Sequence, residues 1–111
     1  MTSRASEYLS KIPFVTCSLI VLNCTVHIVL FFSVMGINQF AISADQVLGG
    51  EYYRIITSAF VHGGILHIFM NMSSLLALGS NLETKFGSLK FAFFTMWSIL
   101  ICGTLYVFLS W

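Results

Sequence analysis

The sequence predicts an all-α membrane protein of three transmembrane helices, and two observations carry that expectation. Of 111 residues, 58% are hydrophobic and only 8% are charged. Soluble domains carry roughly a quarter charged residues, so a soluble chain of this composition could not cover its surface. The nine charges are Arg4, Glu7, Lys11, Asp45, Glu51, Arg54, Glu83, Lys85 and Lys90. They leave three charge-free stretches, Ile12 to Ala44, Ile55 to Leu82 and Phe91 to Trp111, each at least 21 residues long. About 20 mostly apolar residues cross a ~30 Å hydrocarbon core. The same composition excludes a disordered chain, and a net charge of +1 leaves no footprint for nucleic acid.

The first span is expected at about Phe14–Gly36. It begins too close to the N-terminus, and runs too long, for a cleavable signal peptide, and Glu7 argues against a transit peptide. Asn23 and His27 lie four apart on one face of it, suited to hydrogen bonds between helices or to a ligand role for His27. The loop from about Asn38 to Gly64 is long for a helix connection. Its Phe40, Ile42, Val47, Tyr52, Tyr53 and Phe60 suit a segment lying partly in the membrane interface. The second span is expected at about Leu66–Leu82 and the third at about Leu89–Trp111. With three spans, the N-terminus and the second loop share a side. Arg4, Lys11, Lys85 and Lys90 fall there, and only Arg54 falls opposite. The positive-inside rule therefore predicts a cytosolic N-terminus and an external or lumenal first loop. An endomembrane location is the expectation for the organelle. Cys17, Cys24 and Cys102 all fall within expected spans, and no disulfide is expected among them. The sequons at Asn23 and Asn71 fall there too, where glycosylation is not expected.

Polar residues in the second span carry the candidate chemistry, because a polar group in hydrocarbon is costly unless it is paired. His67 and Asn71 are four apart and stack on one helical face, with Ser74 next on the same side. His62 precedes His67 by five residues with Gly63-Gly64 between them, which places His62 in a loop or first turn and His67 at the start of the regular helix. A His and an Asn donating toward one point meet the requirement of an oxyanion hole. The alternatives are a metal site, haem held between His27 and His67, and a polar cluster that only locks helices together. The spacing of His62 and His67 lacks the His-Glu-x-x-His pattern of a zinc helix, and no carboxylate is near.

The run from Glu51 to Met72, with Tyr53-Arg54 and then Thr57-Ser58-x-Phe60-x-His62-x4-His67-x3-Asn71, resembles the rhomboid family of intramembrane serine proteases. Gly79-x3-Glu83-x3-Gly87-Ser88 resembles the family's motif at the loop into the third span. The resemblance implies one partial domain over residues 1–111, equivalent to the first half of a six-helix bundle. It implies oxyanion-stabilising roles for His67 and Asn71, a supporting role for His62, and structural roles for Arg54, Glu83 and Gly87. Tyr53 stands where the family usually has Trp. No cofactor or metal is implied. The implied partners are transmembrane protein substrates or clients and the lipid bilayer, with self-association of the chain as a further expectation.

The family's nucleophile is a Ser in G-x-S-G in the fourth span, and its general base is a His in the sixth. Neither occurs among these 111 residues. A serine is a weak nucleophile without a base, so the 111 residues alone are expected to be inactive as a protease. The end at Trp111 reads as a fragment, a truncated form or a short isoform. The competing expectation is a non-catalytic relative that binds transmembrane clients in membrane-protein quality control or trafficking.

Overall fold

A computed structural model describes Arg4 and residues 12–111, and among them the chain is helical without strands. Lys11 and Glu7 lie outside the described residues. Helix α1 spans Phe14–Phe32. A long connection follows, organised into a 3-10 turn at Ile37–Gln39, short helices α2 (Ala44–Leu48) and α3 (Arg54–Thr57), and a 3-10 turn at Ser58–Phe60. Then come α4 (Ile65–Ser74), a π-helical turn (Leu75–Gly79) and α5 (Ser80–Phe86), which together make one continuous helix, and finally α6 (Ser88–Ser110). Three helices, Phe14–Phe32, Ile65–Phe86 and Ser88–Ser110, are long and apolar enough to cross a membrane, as the composition predicts.

The boundaries differ from the expected ones for local reasons. α1 stops at Phe32, four residues before the expected Gly36, because Ser33 turns extended and its hydroxyl accepts the Met35 N–H. Hydropathy registers no such turn, since Val34 and Met35 are as apolar as the helix before them. The second span runs to Phe86, past the expected end at Leu82. Glu83 and Lys85 looked like its limit, yet Glu83 is buried at 3% exposure and fully hydrogen-bonded, so the helix continues through it. Gly87 then reverses the chain with φ +91, a conformation that side-chain-bearing residues rarely adopt.

Glu83 is the main tie between the spans. The first turn of any helix leaves backbone N–H groups without partners. In α1 no side chain of its own caps them. Glu83 reaches across instead. Its Oε1 accepts from Val15 N at 2.6 Å, and its Oε2 accepts from Thr16 N and Thr16 Oγ1, each at 2.8 Å. Oε1 also accepts from Ser88 Oγ at 2.8 Å, at the start of α6. One carboxylate thus joins α1, α5 and α6, and its charge sits at the positive end of the α1 dipole. Beneath it, Gly79 lets Thr16 and Phe91 close in; a Cβ there would lie 3.1 Å from Thr16 Oγ1 and 3.2 Å from Phe91 Cζ.

The other end of the molecule is held by the first connection. Ala44, Val47 and Val107 form a small core, with Ile42 and Ile55 packed on it, so α2 and α3 lie against α6. Gly103 makes room for this: a Cβ there would meet Ile55 Cγ2 at 2.7 Å and the Ile55 carbonyl at 3.2 Å. Gly103 stands seven residues before Ser110, about 10 Å along the helix axis, so the connection descends alongside the span. Gly103 is therefore the point of close approach between α6 and α3.

Candidate functional site

Arg54 organises the approach to the site. It is 4% exposed, and its Nη1 donates to the carbonyls of Asn38 and Ala41, each at 2.7 Å. Its Nε donates to Glu51, and Tyr53 OH reaches both Glu51 and the Gln39 carbonyl. This hydrogen bond from Arg54 holds the Glu51 carboxyl below its ordinary pKa. Thr57 Oγ1 adds a bond to the Phe40 carbonyl at 2.9 Å. A guanidinium between two loop carbonyls ties residues 37–60 together, and this segment leads to His62 at the head of α4.

His62 lies just before α4, in the loop position expected for it, and Gly64 is extended ahead of the first helical residue, Ile65. Its side chain is 3% exposed and its Nδ1 has no hydrogen-bond partner. The ring packs edge-on against His67, with ring centres 5.1 Å apart and planes at 71°. Burial is the main cause that holds the His62 pKa below its ordinary value; the neighbouring His67 and then His27 act in the same direction, and the Phe60 carbonyl opposes them weakly.

His67 and Asn71 stand one turn apart on α4. Both are exposed, as is Ser74. The buried residue of α4 is instead Ile68, and α4 packs against α1. Among the described residues, then, the His67–Asn71 face looks outward, away from the three-helix packing. Neither side chain makes a hydrogen bond to another described residue, so both have donors available to an incoming group.

His27 and His62 line one cleft of about 520 Å³, walled by Ile28, Phe31, Ile37 and Ile65. Of the two residues weighed as a haem pair, His27 lines this cleft and His67 does not. Asn23 also differs from expectation. It is buried at 4% exposure, but its Nδ2 donates to the Leu19 carbonyl of its own helix at 2.7 Å, and its Oδ1 is unpaired. Thr16 was not anticipated as a site residue, although it is fully buried and holds Glu83 with both backbone and side chain. Its signal was a hydroxyl in the first turn of a span beginning just after Pro13.

The sequence model of the Rhomboid domain matches residues 49–110, more than half of the chain. The chain is 30% identical over 101 residues to Rhomboid-like protein 15 of Arabidopsis thaliana, a match covering 85% of this chain and 24% of that protein. From the same organism, RHOMBOID-like protein 5 is 44% identical over 50 residues, covering 45% of this chain and 16% of the relative. Inactive RHOMBOID-like protein 8 is 43% identical over 42 residues, covering 38% and 12% respectively. The chain thus spans about a quarter or less of the length of these relatives. No solved structure gives a significant match.

Proposed function

Since the chain belongs to the rhomboid family, we propose that it supplies the oxyanion-stabilising side of an intramembrane serine endopeptidase acting on transmembrane proteins. The observation that carries this reading is the pair His67 and Asn71, one turn apart on an exposed face of α4 with no competing hydrogen bonds. A tetrahedral intermediate needs donors fixed before charge develops, and a helix anchored by the buried Ile68 on the adjoining face provides them. His62 is the positioning residue: buried behind His67, it limits the rotations open to that ring. In this reading the nucleophile and base come from outside these 111 residues, and the residues by themselves cleave nothing. The N-terminus is cytosolic, and residues 37–60 lie in the outer interface, where Tyr52 and Leu48 meet lipid.

The test is a chimera. Residues 1–111 replace the equivalent half of an active rhomboid protease, and cleavage of a transmembrane reporter is measured beside labelling by a serine-reactive phosphonate. Cleavage is expected, with His67→Ala and Asn71→Ala each lowering it about 10²–10³-fold, the usual cost of an oxyanion donor. A chimera that labels and cleaves equally well after both substitutions refutes the assignment.

A second reading, a non-catalytic protein that binds transmembrane clients, is favoured by the similarity to a relative named as inactive. Reading the transcript past the codon for Trp111 separates the two. A G-x-S-G about 40–60 residues further on, the length of one more loop and span start, supports the protease; a stop codon supports the client-binding form.

A further inference from the structure

Two cations stand at the turn between the second and third spans. Lys85 lies in the last turn of α5 and Lys90 in the first turn of α6, with Gly87 reversing the chain between them. Both are exposed. Among the described residues the one ion pair is Arg54 with Glu51, so neither lysine has a carboxylate partner there. Glu83, the acid nearest in sequence, gives both oxygens to α1 and Ser88. Next to the lysines, α5 and α6 form an apolar groove of about 320 Å³. Leu82, Phe86, Phe91 and Phe94 line it together with Lys90. The Lys85 ammonium sits over the Phe86 ring, 5.6 Å from its centre. Phe91 is buried, whereas Phe86 and Phe94 are more than half exposed.

We propose that this groove seats one anionic glycerophospholipid, its phosphate between Lys85 and Lys90 and an acyl chain along Leu82, Phe86, Phe91 and Phe94. Charge and polarity complement such a lipid in both of its parts. The apolar lining suits a hydrocarbon tail, and two cations without acidic partners suit a headgroup of net negative charge. A zwitterionic headgroup brings its own cation to the lysines and gains less. Lysine stems can lie along an apolar wall while their ammonium groups stay at the headgroup level. Basic pockets between spans hold acidic headgroups in this way. Phe94 follows Lys90 by four residues on α6, which is ~6 Å along the helix axis, so the groove runs as a tail runs from its phosphate. It lies at the opposite end of the second span from His67, clear of the candidate chemistry. In the orientation proposed above, this end meets the anionic cytosolic leaflet. That consequence rests on the proposed topology, whereas the binding itself does not.

The two tryptophans report on the two ends of α6. Trp97 is exposed and three residues from Phe94, ~10 Å along the axis from Lys90 and so at the depth of a bound acyl chain. Trp111 lies at the far end. Chains carrying Trp111→Phe or Trp97→Phe are reconstituted in vesicles of phosphatidylcholine and phosphatidylglycerol. Quenching by the chain-brominated form of each lipid in turn gives their relative affinity at each tryptophan. At Trp97, phosphatidylglycerol is expected to be favoured at least about fivefold, the worth of one basic side chain near an anionic surface. At Trp111 the two lipids should quench alike. Lys85→Gln with Lys90→Gln should abolish the preference, with circular dichroism reporting that the helices remain. Adding Thr84→Lys and Leu89→Lys to that pair returns both charges to the same membrane face, turned ~100° round each helix, and should not restore it. Equal quenching of Trp97 by the two lipids in the chain with both native lysines, or a preference restored by the displaced ones, overturns the proposal. Lipid binding is read here without any protease, so its failure leaves the chimera experiment to stand or fall on its own.

Discussion

Replacing Glu83 by Gln tests whether one carboxylate holds the spans together. Four hydrogen bonds converge on it: two from the first-turn amides of α1, one from Thr16 Oγ1 and one from Ser88 Oγ. All four partners donate to the carboxylate. Gln keeps one oxygen and turns an NH₂ toward two of them. A hydroxyl can turn round and accept from that NH₂, but a first-turn backbone N–H cannot, so one amide donor is left facing a donor at a position 3% exposed to solvent. Hydrogen bonds to a charged group contribute about 1.5–3 kcal/mol each, so the lost bond costs about that much and the others weaken with the loss of the charge. That is a large part of the total stability of about 5–15 kcal/mol typical of a folded domain. The assay is unfolding by SDS titration in mixed micelles, followed by circular dichroism. Thr16→Val removes only the hydroxyl bond and should cost about 1–2 kcal/mol. In the double variant the two losses should fall short of additive, because both act through Oε2. A Glu83→Gln chain within about 1 kcal/mol of wild type would refute the reasoning, since an amide offers one acceptor oxygen where the carboxylate offers two.

Arg54→Ala leaves the Asn38 and Ala41 carbonyls without their donor; hydrogen exchange should show residues 37–60 losing protection while α1 and α6 keep theirs, at a cost of about 2–4 kcal/mol. Gly103→Leu drives a side chain into Ile55 and should destabilise by about 1–3 kcal/mol, as overpacking does, with α3 displaced from α6; a thermal scan in detergent reads the first and a crosslink between cysteines placed on those helices the second. The lowered pKa of His62 sets a pH dependence. The unfolded chain takes up the proton first, so the contribution of His62 to stability is complete above about pH 6.5 and is lost as pH falls through its folded value. Unfolding midpoints measured from pH 7.5 to 5 should fall, and His62→Gln should flatten that slope; Glu51, whose pKa is also lowered, affects only pH values near and below its ordinary 4.5.

The three spans were legible because hydrocarbon imposes a length and an absence of charge, and both are visible in a string of letters. The placement of His62 in a loop and of His67 and Asn71 on one face followed from helical periodicity and two glycines. The structural roles expected for Glu83 and Gly87 follow a similar logic, and the geometry gives them content: a carboxylate bonded to backbone donors and a hydroxyl, and a turn at positive φ. Hydropathy placed the end of the second span too early at Leu82, because a charge counts as an exit from the membrane until its partners are known.

Composition and spacing by themselves thus determined the solvent, the number of helices and which polar residues share a face. Those are properties of the chain within a few turns of itself. Tertiary structure decided what Glu83 binds, that α2 and α3 lie against Gly103 and Val107, that the Asn23 amide donates within its own helix, and that His27 shares a cleft with His62. The reason is one of range. Periodicity fixes the direction of a side chain around its own axis, but the partner it meets is set by how separate helices pack. In a low-dielectric interior that packing is governed by where each buried donor can find an acceptor.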